Sequence, residues 1–246
     1  MAELREGPES VLVERITLRG PDGAAVEAIH ARPEGVPRAG IALHPDIMGI
    51  RPLFDDLCRR LAGHGFAVCA PEPFVRAPVE VRSSGDPAVR MAQVPDLDDE
   101  LQIGDLEAAA DHLVVYDDVA RVVVMGFCMG GMYALKAAAG GRFDRAVSFY
   151  GMLRVPPDWR GPRLREPLET ATGVCPTLVV LGGVDPFTPP DDIAVLRSAW
   201  ADRPDCEIVV YPEAEHGFVH APDRPAHRPA DAADAWERVL DFITRG

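Results

Sequence analysis

Three residue types able to act in series on an acyl group, a cysteine, an aspartate and a histidine, occur in that order along the 246-residue chain. The cysteine is Cys128, in Gly126-Phe127-Cys128-Met129-Gly130, a G-x-S-x-G pattern with cysteine in the serine position. It follows the apolar run Val122-Val123-Val124-Met125 and precedes a helix-compatible segment, 132–139. A nucleophile projected from a strand-turn-helix bend sits in strained backbone, and glycines two residues to either side avoid collisions that a Cβ would make with the flanking strand and helix. The helix that starts there directs unpaired amides and its dipole at the sulfur, favouring thiolate over thiol. A buried cysteine among glycines that merely permit close packing is the ordinary alternative; the strand before it and the helix after it weigh against that reading.

An elbow of this kind requires an acid and then a histidine, each in a loop after a later strand. The run 177–181 leads into Gly182-Gly183-Val184-Asp185-Pro186, placing Asp185 just past a strand end, and the run 207–211 leads to His216 in Glu215-His216-Gly217-Phe218. A lone aspartate there is usually a turn or cap residue and a lone histidine usually structural. Their joint occurrence in this order is what gives them weight. His30, His64 and His112 lie in edge-strand or helix contexts and His227 in a Pro-rich stretch, while Asp191 and Asp192 read as the first turn of a helix. The chemistry of such a set is nucleophilic acyl transfer through a thioester, with imidazole as general base and carboxylate fixing its tautomer.

Elements must bring these residues together. β-Branched runs predict strands over 11–18, 25–31, 40–43, 67–70, 121–125, 146–149, 177–181 and 207–211. The first two alternate as an antiparallel edge hairpin over 1–32, turning at Gly20-Pro21-Asp22-Gly23; later runs are apolar throughout, as in strands covered on both faces. Helical spacing appears over 53–64 (Leu53, Leu57, Leu61), over 99–113 (Leu106, Ala110, Leu113), after Pro189, and after Pro229 with Ala233, Trp236, Leu240 and Ile243 on one face. Strand and helix in alternation predict an α/β fold: one domain over 1–246 with a mostly parallel sheet of about eight strands, helices on both faces, and a site beyond the strands' carboxyl ends. Two irregular stretches, 76–98 and 151–173, are expected to pass near that site.

Composition restricts the partners. A hydrophobic content of 47% with 26% charged residues allows a substantial core without metals or disulfides. The formal charge of −14 repels phosphate backbones and anionic headgroups, which excludes nucleic acid and membrane surfaces as expected partners. Arg160, Arg163 and Arg165 are candidates for local positive charge at the pocket, although loop arginines are usually solvated. The five cysteines are scattered without C-x-x-C spacing, so their arrangement indicates neither a disulfide framework nor a metal site. The start Met1-Ala2-Glu3-Leu4-Arg5 has no basic and apolar leader pattern, and a cytoplasmic, monomeric protein is expected.

At these residues the sequence resembles the dienelactone hydrolase (carboxymethylenebutenolidase) family, from about residue 40 onward. The resemblance rests on Gly-Phe-Cys-Met-Gly-Gly at 126–131, with cysteine where most relatives in the wider fold use serine. It extends to Asp46-Ile47-Met48-Gly49, Gly104-Asp105-Leu106-Glu107-Ala108-Ala109, Phe149-Tyr150-Gly151 and Glu215-His216-Gly217-Phe218. It implies an α/β-hydrolase fold, no cofactor and no metal, hydrolysis of a small ester or lactone, and a triad of Cys128, His216 and Asp185. The oxyanion is then expected at the backbone amides of Ile47 and Met129. The family carries a glutamate that binds the resting thiol where this chain has Asp46, one methylene shorter. It carries a substrate-carboxylate arginine soon after the histidine, where this chain has His220. Arg90 is the candidate for a second such arginine, and Tyr150 for a further substrate contact. A non-catalytic binding protein, an acyltransferase using the same thioester, and a redox-sensing thiol are the competing readings; the last lacks a nearby resolving cysteine.

Overall fold

The computed structural model describes residues 4–245; the first three residues, included above in the reading of the amino terminus, and residue 246 lie outside the described residues. Eight strands form one sheet: β1 (Val11–Arg19), β2 (Ala25–Pro33), β3 (Ala39–His44), β4 (Phe66–Pro71), β5 (Val122–Phe127), β6 (Arg145–Phe149), β7 (Thr177–Gly182) and β8 (Glu207–Tyr211). Their order across the sheet is β1-β2-β4-β3-β5-β6-β7-β8. β1 and β2 form the antiparallel edge hairpin, and β2 also runs antiparallel to β4; every other pair is parallel. The hairpin turns as its sequence requires, with the Gly23 amide donating to the Gly20 carbonyl and Gly23 at φ 83°.

The helices are α1 (Pro52–Gly63), the short α2 (Val79–Arg82) and α3 (Pro87–Met91), α4 (Asp99–Asp117), α5 (Met129–Ala137), α6 (Pro190–Ala199) and α7 (Pro229–Thr244). Every residue of β3, β4, β5 and β7 is buried, which follows from crossover helices covering both faces of the parallel portion. α1 starts with Pro at its first position, and α4 is capped by the Asp98 carboxylate, which accepts the Glu100 amide. α4 packs Leu106, Ala110 and Leu113 into the core as their spacing predicts, but runs four residues further than expected. On α7 the buried stripe is Ala232, Ala235, Trp236, Val239, Phe242 and Ile243, rotated from the predicted face: Trp236 and Ile243 belong to both, whereas Ala233 is exposed. Among the described residues no helix is long and apolar enough to cross a membrane.

Candidate active site

The parallel strands β5, β7 and β8 deliver the three predicted side chains to one end of the sheet. Cys128 lies between β5 and α5 at φ 57° and ψ −119°, outside the ordinary L-residue regions, and is held there by its amide donating to the Phe149 carbonyl at 3.0 Å. Two glycines make the bend possible. A Cβ at Gly126 would lie 2.0 Å from the Gly130 carbonyl oxygen, and one at Gly130 would lie 2.2 Å from that of His44. Both obstacles are backbone, so neither can step aside, which is the physical content of the G-x-C-x-G pattern.

Asp185 and His216 meet as the chain order requires. His216 Nδ1 lies 2.8 Å from Asp185 Oδ2, while Asp185 Oδ1 accepts the Phe187 amide at 2.8 Å. The Asp185 side chain is fully buried and that of His216 is 12% exposed, so the pair is shielded from competing water. Nε2 of His216 is buried without a hydrogen-bond partner among the described residues. Burial opposes protonation of this ring, but the charge of the Cys128 sulfur and the Asp185 hydrogen bond outweigh it, and the imidazole is pushed up to about 10.

Cys128 and His216 face a common cavity of about 370 Å³. Pro87 and Met91 line it from the stretch 76–98, Met152 and Trp159 from 151–173, and Phe187 completes a mostly apolar wall. Ile47 also lines the cavity, and Met129 is the first residue of α5. Among the described residues no acceptor takes the amide hydrogen of either.

Asp46 is at the cavity too, but its oxygens are engaged by Met48, Arg51 and His220. Oδ1 accepts the Met48 amide at 2.9 Å, Arg51 reaches the two oxygens at 2.6 and 2.8 Å, and His220 Nε2 lies 2.8 Å from Oδ2. Burial alone would raise this carboxyl; His220 and Arg51 outweigh it and hold Asp46 below the usual carboxylate range. His220 and Tyr150 are fully buried beneath the cavity instead of lining it, with the Tyr150 hydroxyl hydrogen-bonded to His220 Nδ1. Burial lowers His220 despite Asp46, consistent with a neutral ring donating from Nε2 and accepting at Nδ1. The Tyr150 ring also packs edge-on against His216, at 5.2 Å between centroids.

Arg90 is likewise not at the cavity. Its guanidinium is used up by the Glu72 carboxylate and by the carbonyls of Arg82 and Ser84, and it packs over Phe74, so it fastens the α2–α3 loop to the end of β4. Arg160, Arg163 and Arg165 pair with Glu166, Asp98 and Glu100 at the surface. The positive charges that do line the cavity are Arg51 and Arg224. Arg51 could have been found from its place five residues after Asp46, at the start of α1. Arg224, in the loop after His216, carries no distinguishing sequence signal.

The model of the Dienelactone hydrolase family matches residues 26–245, a span that includes every residue of this site. The chain belongs to that family. A carboxymethylenebutenolidase of Rhodococcus opacus is 31% identical over 229 residues, covering 92% of this chain and 89% of that protein. An Escherichia coli K12 protein assigned as a carboxymethylenebutenolidase is also 31% identical, over 96% of this chain and 88% of its own length. Among solved structures, a Klebsiella pneumoniae protein assigned as a dienelactone hydrolase superposes with a TM-score of 0.85 at 28% identity, covering 96% of this chain and all of that one. The chain is thus a hydrolase of the dienelactone hydrolase family with its α/β-hydrolase fold.

Proposed function

We propose that the chain hydrolyses a small carboxylic ester or lactone by covalent catalysis, with Cys128 as nucleophile, His216 as proton carrier and Asp185 as its orienting carboxylate. The supporting observation is the convergence of the three residues: an Asp185–His216 hydrogen bond of 2.8 Å, with the free ring nitrogen and Cys128 at the same cavity.

The sulfur attacks the carbonyl carbon, and the oxyanion that forms is held by the Ile47 and Met129 amides, which have no competing acceptor among the described residues. Collapse breaks the bond to the leaving oxygen, which takes a proton from His216 Nε2, and a thioester remains on Cys128. Acylation also changes the histidine. The largest influence raising His216 is the charge on sulfur, and a thioester carries none, so the imidazole becomes a base once the acyl group is in place. It then takes a proton from water, which attacks the thioester and expels the sulfur. Asp46 acts through its grip on the Met48 amide and on Arg51, setting the loop that presents Ile47, with His220 and Tyr150 buttressing it from below. Thiolate leaves readily from a tetrahedral intermediate, so activated esters, enol lactones and thioesters are favoured over amides.

Arg51 is neutralised by Asp46, whereas no ion pair to Arg224 is seen among the described residues, so Arg224 gives the apolar cavity a positive charge suited to a substrate bearing a free carboxylate. Turnover of aryl esters and lactones, with and without such a carboxylate, by wild type and Cys128→Ala tests the proposal. Turnover confined to the wild type supports it; undiminished turnover by Cys128→Ala overturns it.

A further inference from the structure

A second cluster of ligating side chains lies at the β1–β2 edge of the sheet, on the face that α4 covers, and none of its members lines the cavity at Cys128. Glu14 on β1 stands directly across from His30 on β2, and α4 crosses this face with His112 and, at its last residue, Asp117. His30 Nε2 is 2.8 Å from Asp117 Oδ2, and His30 Nδ1 is 3.2 Å from Glu14 Oε1. The His112 ring stands perpendicular to that of His30 at 4.7 Å between centroids, and its Nε2 is buried with no hydrogen-bond partner among the described residues. One donor atom from each of His30, His112 and Asp117 lies within 4.8 Å of the others.

We propose that His30, His112 and Asp117 form a site for a divalent transition-metal ion of the zinc class, backed by Glu14. Two imidazoles and a carboxylate are the donor set that such ions take, whereas magnesium and calcium prefer oxygen ligands alone. Bonds of about 2.0–2.2 Å place neighbouring donors of a tetrahedral ion roughly 3.5 Å apart, so closure needs an inward movement of only about 1 Å. The unpartnered His112 nitrogen gains a partner, and the hydrogen that His30 Nε2 shares with Asp117 is lost to solvent as the metal takes its place. Glu14 then accepts from His30 Nδ1, the carboxylate–histidine–metal arrangement that fixes a ligating ring. Water completes the shell from the shallow depression lined by Leu18, His112 and Tyr116. The ion ties the edge hairpin to the end of α4, so its effect is on stability, and none of the three ligands touches the catalytic cavity.

The test uses tag-free, full-length Cys128→Ser protein, which removes the active-site thiol as a competing zinc ligand. Calorimetric titration with zinc chloride is expected to show one equivalent bound, with a melting temperature that rises with zinc and not with magnesium. His112→Ala, at a half-buried position, should weaken zinc binding by at least about tenfold, and Glu14→Gln by about tenfold. Cobalt absorption in the visible range, present in the parent and lost in His112→Ala, gives a second readout that does not depend on stability. Zinc binding equally tight in His112→Ala, or no zinc-dependent rise in melting temperature, would overturn the proposal.

Discussion

Replacing Asp185 by asparagine should disable the histidine while leaving the fold in place. Oδ1 of Asp185 is committed to the Phe187 amide at 2.8 Å, so the introduced asparagine must keep its carbonyl oxygen there and turn its NH₂ toward His216 Nδ1. That nitrogen then has to accept, which puts the ring hydrogen on Nε2, where a base must have none. Recovering the working tautomer requires flipping the amide and stranding the Phe187 N–H, at about 1–3 kcal/mol, and forfeits charge-assisted stabilisation of the imidazolium, about 1.5–3 kcal/mol. The combined loss of about 3–6 kcal/mol corresponds to roughly two to four decades in rate. Stopped-flow release of nitrophenol from an aryl ester separates acylation from deacylation; the steady phase should fall furthest, because water needs a base more than a thiol does. A steady rate for Asp185→Asn within about threefold of wild type, less than about 1 kcal/mol of barrier, would refute the reasoning.

Arg224→Ala should raise KM for a carboxylate-bearing lactone by about 10–100-fold, the worth of a charge-assisted hydrogen bond, and leave a neutral aryl ester almost unaffected. NMR titration of the His216 ring should place its midpoint near 10 in the resting enzyme and lower in Cys128→Ala, since the sulfur charge that raises it is gone. Because the acyl-enzyme lacks that charge as well, deacylation measured against pH should rise as His216 loses its proton, with a midpoint below that of the resting enzyme. Asp99→Ala strands the buried Lys136 ammonium, now 2.8 and 3.0 Å from the two carboxylate oxygens. The variant should lose about 3–5 kcal/mol, read as a drop in melting temperature of roughly 6–20 °C.

The candidate catalytic residues are legible because each is marked by local chain chemistry: glycines spaced about Cys128, and strand ends immediately before Asp185 and His216. The mainly parallel sheet followed from the alternation of elements, since parallel neighbours need crossovers. What the sequence left open depends on long side chains and on packing between distant segments. Arg90 is the wall candidate that the resemblance offers and Arg224 carries no sequence signal, yet Glu72 and two carbonyls draw the first inward while the second lines the cavity with no ion pair seen among the described residues. His220 reads as a substrate contact at the family's arginine position until Tyr150 and Asp46 are seen to close on its two nitrogens. The end of α4 escaped periodicity because Val115 and Tyr116 are 73% and 74% exposed, apolar residues on a turn that has run past the core. The cluster of His30, His112 and Asp117 spans a strand and a helix 82 residues further on, a separation that no motif spacing encodes.

Covalent capture at Cys128 bears most directly on the catalytic account. His216→Ala, exposed to an aryl ester, quenched in acid and digested, should carry the acyl group on the peptide containing Cys128, because the thioester forms and the base that clears it is missing. An unmodified Cys128 peptide alongside continued release of nitrophenol, or an acyl group found on another residue, would contradict it.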